Sequence, residues 1–268
     1  MPARAVSPDA PAARPVPSPW VALGGDSGAD VALVCFHCAG GSAQSFAPWC
    51  RSLAGRADLV VAELPGRGRR TGEPFAASLT DAARDLAEAH RWLPDKAADK
   101  RLVFLGHSLG ALLAFETARA LQRLGVPGPE RLIVSARHAP DWVPASAGLP
   151  EPSDEALQRY LRDLDGTPPV VFEHADLLRM VVATLRRDLD LIRGYRCAPA
   201  PRLPIPLEVI GAIGDGVVPF ESLLGWRAMT DGPSRIHMIP GGHFALLARP
   251  QAVLDILSRR TAVHSAVQ

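Results

Sequence analysis

The sequence predicts an α/β fold, a mostly parallel central sheet with helices on both faces, and three observations carry that expectation. Short runs rich in Val, Ile and Leu recur along the chain, amphipathic segments lie between them, and the runs are apolar nearly throughout instead of alternating. Unbroken apolarity is what a strand shows when helices cover both faces of its sheet, and that arrangement favours parallel strands. The strands expected are Val31–Phe36, Leu59–Leu64, Leu102–Gly106, Arg131–Ser135, Leu207–Ile213 and Arg235–Ile239.

The first helix is expected over Ser78–Leu93, where Ser78 stands three residues ahead of Asp81 in a capping pattern. A second, Leu109–Leu124, stops at Gly125, a residue that tolerates the left-handed turn closing a helix. A last helix runs from Pro250 to about Arg260. Between Ser135 and Leu207 lie about 70 residues without a strand pattern, too long for a structureless loop. They include Ser153–Leu164 and Glu173–Tyr195; in the latter Leu178, Val181, Val182, Leu185, Leu189 and Ile192 keep helical spacing. This predicts an inserted helical lid over about 141–200, which should cover and gate the mouth above the sheet.

Composition narrows the possibilities. In 268 residues, 29 Lys and Arg face 28 Asp and Glu, a net charge of +1 that gives no purchase on a phosphate backbone, so nucleic acid is not an expected partner. No run approaches the roughly 18 apolar residues of a membrane span, and the Pro-rich start lacks a signal-peptide core, so no membrane association is expected. Four cysteines are too few for a disulfide scaffold and fit a cytoplasmic protein. Residues 1–20 read as a disordered Pro-rich tail, 21–260 as one domain and 261–268 as a C-terminal tail.

The chemistry is concentrated at strand ends. Gly106-His107-Ser108-Leu109-Gly110 joins an apolar strand directly to a helix, the required context for GxSxG. A serine on such a turn is strained and exposed, and small neighbours let the adjoining backbone pass closely. Ser108 is the candidate nucleophile, with His107 a packing residue. Where GxSxG forms the nucleophile turn of an α/β-hydrolase, the partners follow in the order Ser, acid, His. Leu207–Ile213 runs into Asp215, and Arg235–Ile239 runs into His243, both just past the C-terminal ends of strands. Asp215 and His243 complete a candidate triad, Glu221 and Asp188 being the substitutes considered for the acid. The turn Phe36-His37-Cys38-Ala39-Gly40-Gly41-Ser42-Ala43 can supply an amide at Ala39 to an oxyanion hole whose other amide is that of Leu109. Neither a Walker lysine nor GxGxxG accompanies these glycines, and Cys35/Cys38 have no second pair to close a metal site. No cofactor and no metal are expected. The fold expected is thus the α/β-hydrolase fold with a lid.

With these motifs in place the sequence resembles the stand-alone type II thioesterases of polyketide synthase and nonribosomal peptide synthetase pathways. The resemblance rests on Phe36–Ala43, Leu64-Pro65-Gly66-Arg67-Gly68-Arg69-Arg70, Gly106–Gly110, Ser135-Ala136-Arg137-His138-Ala139-Pro140, Asp165-Gly166-Thr167-Pro168 and Leu185-Arg186-Arg187-Asp188. It departs at His37-Cys38, where family members usually carry Pro-His. It implies hydrolysis of acyl groups from the phosphopantetheine thiol of acyl or peptidyl carrier proteins by Ser108, Asp215 and His243. No carrier domain or dimerising extension precedes Val31, so action in trans as a monomer is expected. Arg67, Arg69 and Arg70 are candidates for docking an acidic carrier, Arg186 and Arg187 less favoured ones. Competing readings are a small-molecule esterase or acyltransferase on the same fold, and a non-catalytic binding protein.

Overall fold

The computed structural model describes residues 18–24, 28–142, 149–150 and 152–259. The predicted tails beyond these bounds, and residues 143–148 and 151 of the predicted lid segment, lie outside the described residues. Seven strands form one sheet: β1 (Trp20–Leu23), β2 (Val31–Phe36), β3 (Asp58–Ala62), β4 (Arg101–His107), β5 (Arg131–Ser135), β6 (Leu207–Ala212) and β7 (Ser234–Ile239), in the order β1-β3-β2-β4-β5-β6-β7. All neighbouring pairs are parallel except β1 with β3.

Strands β2, β3, β5 and β6 are buried on both faces, which is why they do not alternate, whereas every residue of β7 is at least partly exposed. Along β2, Ala32, Val34 and Phe36 join the core on one side, with the helices α1 (Leu79–Glu88) and α2 (Leu109–Leu124). Leu33 and Cys35 point to the other, with Phe46, Trp49 and the terminal helix α6 (Gln251–Ser258). Ser78 Oγ accepts the Asp81 amide at 3.0 Å and caps α1, while Gly125, at φ 66°, closes α2. The expected first helix is shorter than its pattern: α1 ends at Glu88 and tightens into a 3-10 turn, Ala89–Trp92.

β1 is a correction to the predicted tail. The predicted tail reaches Trp20, yet Trp20 opens a strand, is 2% exposed, and donates its indole N–H to the Ala89 carbonyl at 2.8 Å. A four-residue antiparallel edge strand is too short to show a period.

Among the described residues, the interval after β5 holds three helices, α3 (Asp154–Asp163), α4 (Pro169–Glu173) and α5 (Ala175–Gly194). β2 feeds β3 on one side while β4 to β7 build out on the other. The strand order therefore reverses between β2 and β4, where open α/β sheets form a crevice at their C-terminal edge.

Candidate active site

Four of the predicted site elements converge on that crevice, each at the C-terminal end of a parallel strand: the turn after β2, Ser108 after β4, Asp215 after β6 and His243 after β7. Ser108 has φ 55° and ψ −116°, a conformation that an L-residue holds only when its surroundings force it. The forcing is steric. A Cβ on Gly106 would lie 2.1 Å from the Gly110 carbonyl oxygen, and one on Gly110 would lie 2.0 Å from that of Phe36. The strand-to-helix turn closes only with glycine at both places. The Ser108 amide donates to the Ser135 carbonyl at 2.8 Å, which fastens the turn to β5.

His243 lies between the other two. Its Nε2 is 3.2 Å from Ser108 Oγ and its Nδ1 is 2.9 Å from Asp215 Oδ2. A carboxylate at Nδ1 fixes that nitrogen as the N–H and leaves Nε2 a bare acceptor facing the hydroxyl. Asp215 Oδ1 accepts the amides of Val217 and Val218 at 2.9 and 3.2 Å. Burial pushes the Asp215 carboxyl up, but the hydrogen bond and charge of His243 and those two amides outweigh it and hold the group below the ordinary carboxylate range. The Gly214 amide donates to the Gly241 carbonyl at 2.8 Å, tying the acid's loop to the histidine's. Asp188 and Glu221 do not take the acid's place: the first is bound to Arg67, the second is exposed on a short helix.

Leu109 begins α2, so its amide has no acceptor within the helix and the positive end of the helix dipole backs it. In the turn after β2, Gly41 donates to the Cys38 carbonyl at 3.1 Å and Gly40 adopts φ 72°.

Two other histidines crowd this edge. His37 bonds the Cys38 carbonyl through Nδ1 at 2.8 Å and receives the Leu64 amide at Nε2, 3.4 Å away, which requires the neutral ring. His107 packs against His243 at 5.5 Å and Phe244 at 5.4 Å, centroid to centroid. Burial lowers His37 to about 4, with Arg67 adding to the shift, and lowers His107 to about 3, with His243 adding to it. The unfolded chain takes up protons at both below pH 6.5 whereas the folded one does not, so stability falls with pH across the interval from 6.5 to about 4. At pH 5 each ring should cost about 2 kcal/mol, and Tm should drop by about 10 °C relative to pH 7.5. A Tm equal at the two pH values would show that these rings are not held neutral.

The arginine cluster is mostly not where a docking surface would need it. Arg67 is 7% exposed and forms a two-pronged ion pair with Asp188, at 2.6 and 2.7 Å. Arg70 grips Glu73 at 2.6 and 2.9 Å and the Glu63 carbonyl at 2.9 Å. Only Arg69 presents an exposed side chain. Its amide, like that of Ala43, is held by the buried Glu63 carboxylate, which also fills the space a side chain on Gly68 would need. The run braces the turns after β2 and β3 against each other. Arg186 is likewise engaged, with Asp154 and the Pro152 carbonyl.

Cys35 and Cys38 are free, buried thiols; burial raises both, Cys38 to about 12, and Asp188 adds to the shift at Cys38. They are poor nucleophiles and poor metal ligands in this state.

A family model of the thioesterase domain matches residues 31–261. The chain belongs to the thioesterase family. This thioesterase is 33% identical to the RedJ thioesterase of the prodiginine pathway in Streptomyces coelicolor, with a TM-score of 0.76 over 91% of this chain and 95% of that one. It is 35% identical to the type II thioesterase BorB from the borrelidin cluster, with a TM-score of 0.73 over 85% and 91% of the two chains. Thioesterase PikA5 of Streptomyces venezuelae is 35% identical over 217 residues, 81% of this chain and 75% of that one. The resemblance read from the motifs and the α/β-hydrolase architecture both hold, and the enzyme is a hydrolase acting on thioesters. No helix among the described residues is long and apolar enough to cross a membrane.

Proposed function

We propose that the thioesterase removes acyl groups from the phosphopantetheine arm of acyl or peptidyl carrier proteins through an acyl-serine intermediate. The observation that carries this reading is the unbroken chain Ser108 Oγ, His243 Nε2, His243 Nδ1, Asp215 Oδ2. His243 accepts the Ser108 proton as Oγ adds to the thioester carbonyl. The oxygen, now negative, receives the amides of Ala39 and Leu109. The tetrahedral adduct collapses, the C–S bond breaks, and the imidazolium returns its proton to the departing pantetheine thiolate. Water then adds to the acyl-serine with the same histidine as base, and the carboxylic acid leaves as Ser108 regains its proton. No step calls for a metal or an organic cofactor. RedJ and BorB are thioesterases of biosynthetic pathways, which supports a thioester made during biosynthesis as the substrate.

The test is intact-mass analysis of acylated carrier protein exposed to the enzyme. The carrier should lose the acyl mass and keep the pantetheine arm, with kcat/KM at least about 100-fold above that for an oxygen ester of the same acyl group, a gap of near 3 kcal/mol in transition-state stabilisation. Preference for the ester, or recovery of the acyl group on an added alcohol or amine, would replace this reading with the esterase or acyltransferase. In the same assay Arg69→Ala should raise KM for the acyl-carrier without changing turnover of a short acyl-pantetheine, because Arg69 alone of its cluster reaches outward to an acidic carrier.

A further inference from the structure

Gly40 sits one residue beyond the amide assigned to the oxyanion hole, and its own N–H has an acceptor far away in sequence. That acceptor is Asp188 Oδ2 on α5, at 2.8 Å. The same carboxylate receives both prongs of Arg67, and Arg67 Nη1 also reaches the Gly41 carbonyl at 3.3 Å. Asp188 and Arg67 therefore hold the Gly40–Gly41 backbone from both sides. Leu185, one helical turn before Asp188, lies with its Cβ 3.5 Å from the place a Cβ on Gly40 would occupy, so α5 rests directly on the turn.

The peptide between Cys38 and Ala39 is fixed from its other end. Its carbonyl accepts the Gly41 amide and the His37 Nδ1–H, at 3.1 and 2.8 Å. Because that peptide is planar, the bonds at the Cys38 oxygen bear on the direction of the Ala39 N–H, and one of the two comes from Gly41, part of the backbone that Asp188 and Arg67 hold. The next peptide plane carries the Gly40 N–H, which donates to Asp188. We infer that Asp188 and Arg67 are positioning residues for the oxyanion hole, through which helix α5 fixes the aim of the Ala39 amide. The inference rests on the reading of Ala39 as an oxyanion donor. A pair this dry is a poor way to gain stability, since its desolvation offsets most of the attraction, whereas it is an effective way to hold one geometry. An oxyanion donor is worth about 100-fold in turnover only while it points at the developing charge.

Asp188→Asn keeps an oxygen for Gly40 but breaks the two-pronged grip of Arg67, and Asp188→Leu with Arg67→Met removes both charges together. The first should lower kcat about 10- to 100-fold with KM within about threefold of wild type. Binding of a trifluoromethyl ketone analogue, which Ser108 converts to an oxyanion-bearing hemiketal, should weaken by the same factor. Binding of an amide analogue of the ground state should not change, and neither should the pH dependence of kcat/KM, which reports His243. The double variant should recover thermal stability without recovering turnover or ketone affinity, and it decides the matter if the single variant is too unstable to assay. Wild-type kcat and ketone affinity in Asp188→Asn, recovery of both in the double variant, a loss confined to KM, or a shifted pH profile would each overturn the inference. Ser108→Ala examined alongside separates the two levels: an active Ser108→Ala refutes the acyl-serine reading itself, whereas an inactive one leaves the Asp188 result to judge the positioning role alone.

Discussion

Ser108→Ala should reduce thioester hydrolysis by at least about 10⁴-fold, to the level that binding and an oxyanion hole sustain without a nucleophile. The fold should be untouched, because alanine fits the same space and inherits the same backbone: the turn is imposed by Gly106, Gly110 and the strand beside them. Circular dichroism and Tm should therefore match wild type while intact-mass analysis shows no acyl adduct on the protein. A serine-directed sulfonyl fluoride should add one equivalent to wild type and none to the variant. Retention of even a tenth of wild-type turnover would remove Ser108 from the role of nucleophile.

The second large effect concerns the base and the acid behind it. His243→Ala should be nearly as inactive as Ser108→Ala, since the hydroxyl then has no acceptor at 3.2 Å and is a weak nucleophile by itself. Asp215→Asn should retain somewhat more, with turnover down about 10³- to 10⁴-fold, because an amide at that place favours the wrong imidazole tautomer without deleting the ring. The losses should not add. With Ser108 gone, the further change at His243 should cost less than about threefold, since the residues act as one unit. Full additivity in the double variant, or a fully active Asp215→Asn, would break the assignment of the unit.

The candidate triad was legible in the sequence because each member is announced locally. Ser108 stands in a motif whose glycines have steric work to do, and Asp215 and His243 each follow an apolar run by a few residues. Depth of burial along β2 to β6 was legible for the same reason, a run with no polar alternation. What escaped depends on contacts between distant parts of the chain. Arg67, Arg69 and Arg70 look alike in sequence, yet one is consumed by Asp188, one by Glu73, and one is exposed. Nothing near residue 67 announces a carboxylate on a helix that begins at Ala175, just as nothing in Trp20–Leu23 announces pairing with β3. A long-range ion pair leaves no period and no spacing behind.

The backbone at Ser108 carries a thermodynamic meaning apart from its chemistry. Residues held in such sparsely populated conformations cost of order 1–3 kcal/mol, and the rest of the protein must outweigh that cost to stay folded. Glycine would meet φ 55° and ψ −116° with little penalty, so the replacement that best relaxes this turn is also one that ends turnover. Heat resistance and reactivity thus pull residue 108 in opposite directions. Selection for robustness alone would lead the chain toward a well-folded, inert relative of itself.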